Sequence, residues 1–168
     1  MTLSMYQASV PLFRRSLAAL GAVLGKGAAF AEAKKIDPSV LLQARLAPDM
    51  FPLVRQVQSA SDSAKGCVAR LAGAEVPSWP DTETSFAELQ SRIARTLEYV
   101  AGFAPDQIDG SEARQVVLTF RTGEVTFDGQ VYLIGFVIPN FLFHCTTAYA
   151  ILRHNGVELG KRDYLGEA

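Results

Sequence analysis

Asn140, His144 and Thr147 follow one another at spacings of four and three near the end of the chain. On a helix that spacing places all three on one face. Their neighbours are apolar, among them Leu133, Val137, Phe141, Leu142, Ile151 and Leu152. An imidazole in such a setting can take up and release a proton or ligate a metal. A carboxamide beside it can orient a substrate. Unpaired polar groups in a core cost about 1–3 kcal/mol each. The three residues therefore make either a polar pocket for a ligand or metal, or a satisfied core histidine with an asparagine bonded beside it.

Few other parts are available, because the 168 residues include only two histidines and two cysteines. His154 lies nearly three helical turns beyond His144, too far to share an ion with it. It precedes Asn155-Gly156, a helix stop, and reads as an exposed C-terminal cap. Arg153 reads as a surface or dimer contact. Cys67 and Cys145 form no CxxC pair and read as small buried side chains. Ser9 and Ser16 fall on the core side of the first helix, with His144 as the one candidate base. There is no nucleophile elbow and no phosphate-binding glycine loop; Gly123 and Gly129 read as turn residues.

Four long helices must position these groups. The first spans about Ser4 to Lys34, with Phe13, Leu17, Leu20 and Leu24 on one face, and Pro11 is expected to kink or restart it. After Ile36-Asp37-Pro38-Ser39 a short helical turn covers Val40 to Arg45. The second long helix opens at Ala47-Pro48-Asp49, begins properly near Pro52 and reaches about Leu71. Its core stripe is Leu53, Val57, Ala60, Ala64, Cys67, Val68 and Leu71. A loop from Gly73 to Thr84 holds Trp79, which either folds over a pocket mouth or plugs the loop onto the bundle. Ser85 and Glu88 form a reciprocal cap for the third helix, which runs to about Gly102 with Phe86, Leu89, Ile93 and Leu97 inward.

The period then changes from helical to alternating. Val116 to Phe120 and Val125 to Phe127 read as a β-hairpin, which needs the helices for support. Asp128 is placed to cap the fourth helix, ending near His154. That helix is apolar almost all round and is expected to be buried on most sides, with a bend at Gly135–Pro139. The expected architecture is one mainly α domain over residues 1–168: a four-helix bundle with a small β-hairpin between the third and fourth helices.

Composition narrows the function. The chain is 49% hydrophobic and 20% charged, with a net charge of -1, an ordinary globular balance. A nucleic-acid partner is not expected. Arg14-Arg15 and the apolar stretch after them resemble a signal peptide, but Lys26, Glu32, Lys34 and Lys35 favour a first domain helix. No unbroken apolar run reaches a membrane span of about 18–20 residues, and a cytoplasmic setting is expected.

Asn140-Phe141-Leu142-Phe143-His144, continuing through Tyr149 to Val157, resembles the last-helix signature of the DinB/YfiT-like superfamily. The stretches Leu46-Ala47-Pro48-Asp49-Met50-Phe51-Pro52 and Arg153-His154-Asn155-Gly156-Val157 resemble more closely an uncharacterised bacterial branch of it, a domain-of-unknown-function family. The resemblance covers nearly the whole chain. It implies a four-helix bundle, often a homodimer. Better-known members use a metal held by one histidine of the second helix and two of the last, and some are thiol-dependent transferases or isomerases. Carried over, the last-helix pair falls on Asn140 and His144, and the superfamily's Gly-Gln falls on Thr146-Thr147. The second-helix position has no histidine; Gln56 is its nearest counterpart, with Asp49 or Asp62 as alternatives. Carboxamides are weak, neutral donors for Zn²⁺ or Ni²⁺. The expectation is a degenerate metal site (Asn140, His144, Gln56) holding at most a weakly bound divalent metal. His144 is the candidate catalytic group, and a small polar ligand is expected beside Asn140, His144, Thr147, Gln56 and Asp49. A non-catalytic homodimeric or partner-binding protein is the alternative, and a working metal-dependent thiol transferase or isomerase ranks last.

Overall fold

Ser4 starts the first element. Its hydroxyl accepts from the Gln7 N–H while the Gln7 side chain accepts from the Ser4 N–H, so two orphan donors are satisfied together. In the computed structural model, which describes residues 3–166, α1 then runs over Met5–Lys34. Pro11 does not restart the helix as expected. Pro11 and Gln7 both lie on the exposed face, so the Gln7 carbonyl that loses its partner can turn to water.

A short α2 (Pro38–Leu42) follows, started by the Asp37 carboxylate on the Ser39 N–H. Next, α3 (Leu53–Ala72) begins directly after Pro52 and ends at Gly73, whose φ is 70°. The stripe expected on this helix is fully buried. The reciprocal cap of Ser85 and Glu88 opens α4 (Phe86–Ala101), and Phe86, Leu89 and Ile93 are buried, while Leu97 is partly so. A single turn, α5 (Pro105–Ile108), leads to the strands.

Strands β1 (Gln115–Phe120) and β2 (Gly123–Asp128) pair antiparallel, with Val116 opposite Phe127 and Leu118 opposite Val125. Val116 and Leu118 are buried, whereas Val117 faces outward. The rings of Phe120 and Phe127 meet Phe136 at 5.9 and 5.6 Å, which supplies the support that a lone hairpin lacks.

The last long helix is built in three parts: α6 (Gly129–Val131), a π-helical segment (Tyr132–Val137) and α7 (Ile138–His154). Where a bend is expected at Gly135–Pro139, the structure has a widened π-helical turn, Tyr132–Val137, ending just before Pro139. Asp128 holds the N-cap position of α6 but does not cap it; its carboxylate accepts from the Gln115 side chain across the hairpin. Burial of this helix is also less complete than expected. Val131, Ile134 and Phe143 are 56%, 53% and 53% exposed, because the other helices cover it from one side only.

Helix α3 packs along both α7 and α4, and α1 packs on α4 and α7. A final short helix, α8 (Lys161–Leu165), folds back on α1. The core lies between the long helices; Phe13 and Phe141 meet there edge to face at 5.0 Å. Cys67 and Cys145 are free and buried. Burial raises both thiols above the ordinary range, Cys145 to about 12. By length and average composition, α1 and the Gly129–His154 helix are apolar enough to cross a membrane, although polar residues interrupt the apolar run in each. Within α1, the residues that make it apolar, Phe13, Leu17, Leu20 and Leu24, face the core, while Arg14 and Arg15 face outward.

Candidate functional site

The α3–α7 interface brings Gln56 against His144, with the Gln56 Oε1 2.7 Å from Nδ1. Gln56 is 1% exposed. Its Nε2 donates to the Phe51 carbonyl at 3.1 Å, and that bond fixes the carboxamide with its oxygen toward the ring. An oxygen can only accept, so Nδ1 carries the proton and Nε2 of the neutral ring keeps its lone pair. Among the described residues Nε2 has no hydrogen-bond partner. Burial, and then the positive charge of Arg55, lower the His144 pKa from its ordinary value. The half-buried ring is consequently neutral near pH 7, with an acceptor nitrogen directed away from Gln56. The exposed Phe143 meets it edge to face at 5.4 Å.

One turn earlier on α7, the Asn140 Nδ2 donates to Ser63 Oγ at 2.9 Å, and Ser63 in turn donates to the Ser59 carbonyl at 2.7 Å. Still earlier, Tyr132 Oη accepts from Arg70 Nη1 at 3.1 Å. Gln56, Ser63 and Arg70 are separated by seven residues each, so they form one polar line along α3. Their partners His144, Asn140 and Tyr132 are spaced four and eight apart. A π-helical turn holds more residues than an α turn, and the segment Tyr132–Val137 thereby brings Tyr132 back to the face that carries Asn140. Ser63, Arg70 and Tyr132 were missed by sequence reasoning. The signal for the first two was the seven-residue repeat of polar side chains beside the apolar stripe.

The remaining candidates lie elsewhere. Thr147 is buried at 4% exposure but forms no hydrogen bond with Asn140 or His144. Thr146 donates to the Tyr164 hydroxyl of α8. Asp49 is exposed in the loop before α3. Asp62 meets Lys65 of its own helix at 2.9 Å and Arg92 of α4 at 3.0 Å. His154 is exposed at the end of α7, and the Asn155 side chain donates to the Ile151 carbonyl there. Ser9 donates to the Met5 carbonyl within its own helix.

This donor set does not fit a three-imidazole metal site. It offers one imidazole and two carboxamides, and each of the three already bonds to a protein group. Among the described residues no group of three or more His, Cys, Asp or Glu side chains is placed to hold a metal ion. No step through a metal follows from these residues.

A second polar cluster holds the Trp79 loop. Arg92, with its side chain 2% exposed, meets Asp62, Asp81 and Glu83 at 3.0, 3.0 and 2.9 Å and donates to the Pro80 carbonyl. Gln58 donates to Glu83 at 2.8 Å, and Arg55 pairs with Asp81. Trp79 lies between the Lys65 ammonium at 4.5 Å and the Arg95 guanidinium at 4.2 Å. The loop is thus fastened to α3 and α4. Burial pushes the Glu83 carboxyl up, but the bonds from Arg92 and Gln58 outweigh it and the net shift is downward. Sequence reading missed this cluster because its members come from α3, the loop and α4.

Fold and seam together define a mainly helical protein with a small two-stranded hairpin, of the DinB-like kind. The solved structure of a DinB family member protein from Shewanella denitrificans is similar: the TM-score is 0.88, with 46% sequence identity over 97% of this chain and 92% of that chain. Residues 5–165 match the family described as a domain of unknown function (DUF1993), and the chain belongs to that family. Among curated proteins none matches it.

Proposed function

We propose that this DinB-like domain is a four-helix bundle, with its hairpin between the third and fourth long helices, that binds a small polar ligand at His144. The observation that carries the reading is the oriented imidazole. Gln56, itself fixed by the Phe51 carbonyl, holds Nδ1 as a donor and leaves Nε2 as an acceptor. A ligand N–H or O–H can donate to Nε2. If the bound group is acidic enough to give up that proton, His144 is the base and Gln56 supports the imidazolium that forms. Balanced charge favours a small molecule over a nucleic acid, and the buried free thiols of Cys67 and Cys145 favour a reducing, cytoplasmic setting.

The test is a screen of small polar compounds by ¹⁵N NMR of the histidine side chains. A saturable shift at the His144 Nε2 that is absent in His144→Ala supports the reading. No compound that moves this resonance would remove its basis. Elemental analysis of untagged protein tests the lowest-ranked reading, a metal-dependent thiol transferase or isomerase, which requires stoichiometric metal lost in His144→Ala.

A second reading, a homodimer with a vestigial pocket, is favoured by the exposure of Val131, Ile134 and Phe143 along the last helix. Light-scattering mass at micromolar concentration tests it, and a strict monomer would end it.

A further inference from the structure

The hairpin, α3 and the π-helical segment line an open surface cleft of about 240 Å³ at the opposite end of the polar seam from His144. Arg70 supplies its positive charge. Among the described residues no carboxylate lies within 4 Å of the Arg70 guanidinium, whose one side-chain bond is to Tyr132 Oη. The carboxylate that also lines the cleft, Asp62, is held by Lys65 and Arg92. Gly66 makes the arginine's position possible. A Cβ there would stand 2.4 Å from Arg70 Nη1, so the guanidinium lies back across α3 because that side chain is missing. Two aromatic rings form the apolar wall: Phe120, 40% exposed at the end of β1, meets Phe136 edge to face at 5.9 Å.

We propose that this cleft binds a small monocarboxylate with a flat, apolar body. The carboxylate accepts from the N–H groups of Arg70 that Tyr132 leaves free, a charge-assisted bond. The flat body lies against Phe120 and Phe136. Asn140, which uses one N–H on Ser63, retains a second N–H and its oxygen for a polar substituent. The volume is below the roughly 300 Å³ at which drug-sized pockets begin, which suits a body of a single ring. His144 does not line the cleft, and this inference is independent of the reading of His144.

The experiment titrates the full-length protein with sodium benzoate and follows backbone ¹H–¹⁵N spectra. Saturable shifts at Leu118, Thr119, Phe120 and Asn140 are expected, with benzamide binding far more weakly. Arg70→Gln is expected to weaken benzoate binding about tenfold or more. Gly66→Ala keeps the charge but displaces a flexible guanidinium, so the fold remains while affinity falls. His144→Ala is expected to leave benzoate affinity unchanged. Absence of saturable shifts up to tens of millimolar, or unchanged affinity in both Arg70→Gln and Gly66→Ala, overturns the proposal. Equal binding of inorganic phosphate also overturns it, because the aromatic wall would then contribute nothing.

Discussion

At His144, one hydrogen bond decides the chemistry. The Gln56 oxygen needs a proton on Nδ1, and burial among apolar side chains disfavours a second proton on Nε2. The folded protein therefore prefers neutral His144, and its pKa is lowered by burial first and by Arg55 second. The unfolded chain binds the proton more readily, so the histidine's contribution to stability is full above an ordinary histidine pKa of about 6.5. It is lost as pH falls toward the lowered folded value. Unfolding measured from pH 7 downward should show an added loss of stability in wild type, with a slope of at most about 1.4 kcal/mol per pH unit, that His144→Leu lacks. Identical slopes in the two proteins would contradict this. Gln56→Leu leaves Nδ1–H and the Phe51 carbonyl without their partner, and should cost about 1–3 kcal/mol. The same variant should lose the single tautomer, read from the two ring ¹⁵N shifts.

Between elements, two tight contacts hold the seam and its neighbours in place. Gly129 joins β2 to the last helix, and a Cβ there would lie 2.0 Å from the Ser111 carbonyl oxygen. That neighbour is backbone and cannot swing aside. Gly129→Ala should destabilise by about 2 kcal/mol or more, seen as a lowered denaturant midpoint, although alanine is the better helix former. A wild-type midpoint would show that the backbone yields there after all. The other contact is Arg92, which fastens the Trp79 loop to α3 and α4. Replacing it with Met leaves Glu83, among the described residues, with only the Gln58 amide as a partner and removes a shared partner from Asp62 and Asp81. Breaking such buried pairs costs about 3–5 kcal/mol; the lower end is expected here, because Asp62 and Asp81 are partly exposed. Trp79 fluorescence should change with it, as the loop loosens around the indole. An unchanged spectrum together with unchanged stability would show that the loop is held by something else.

Across the whole molecule, the long helices share one core, but coverage of that core is uneven. The last helix is enclosed by α1 and α3 on one side and touched by the hairpin at its start. Its outer face leaves Ile134 and Phe143 to solvent. If that face is where two copies meet, Phe143→Glu should shift the scattering mass from two chains toward one without lowering the unfolding temperature by more than a few degrees. A mass that does not change with protein concentration or with this substitution would separate the apolar face from self-association.

The sequence by itself determined the long helices, the hairpin and most of their inward faces, but not the short helices α5 and α8. The stripes of α1, α3 and α4 were legible because their apolar residues repeat at helical spacing, and the caps at Ser4 and Ser85 begin their helices with local bonds. Asn140 and His144 were legible as polar residues on one face of an apolar helix. Only the tertiary structure decided what faces them. Gln56 rather than Asp49 or Asp62 meets His144, because the packing of α3 on α7 presents the line of Gln56, Ser63 and Arg70 and turns Asp62 toward Arg92. The π-helical segment, the charge cluster under the Trp79 loop and the open face of the last helix were likewise hidden. Each depends on which element lies opposite, and residue spacing along one helix carries no record of that. The shortage of histidines named where the chemistry could be; packing alone set which nitrogen of His144 is left to do it.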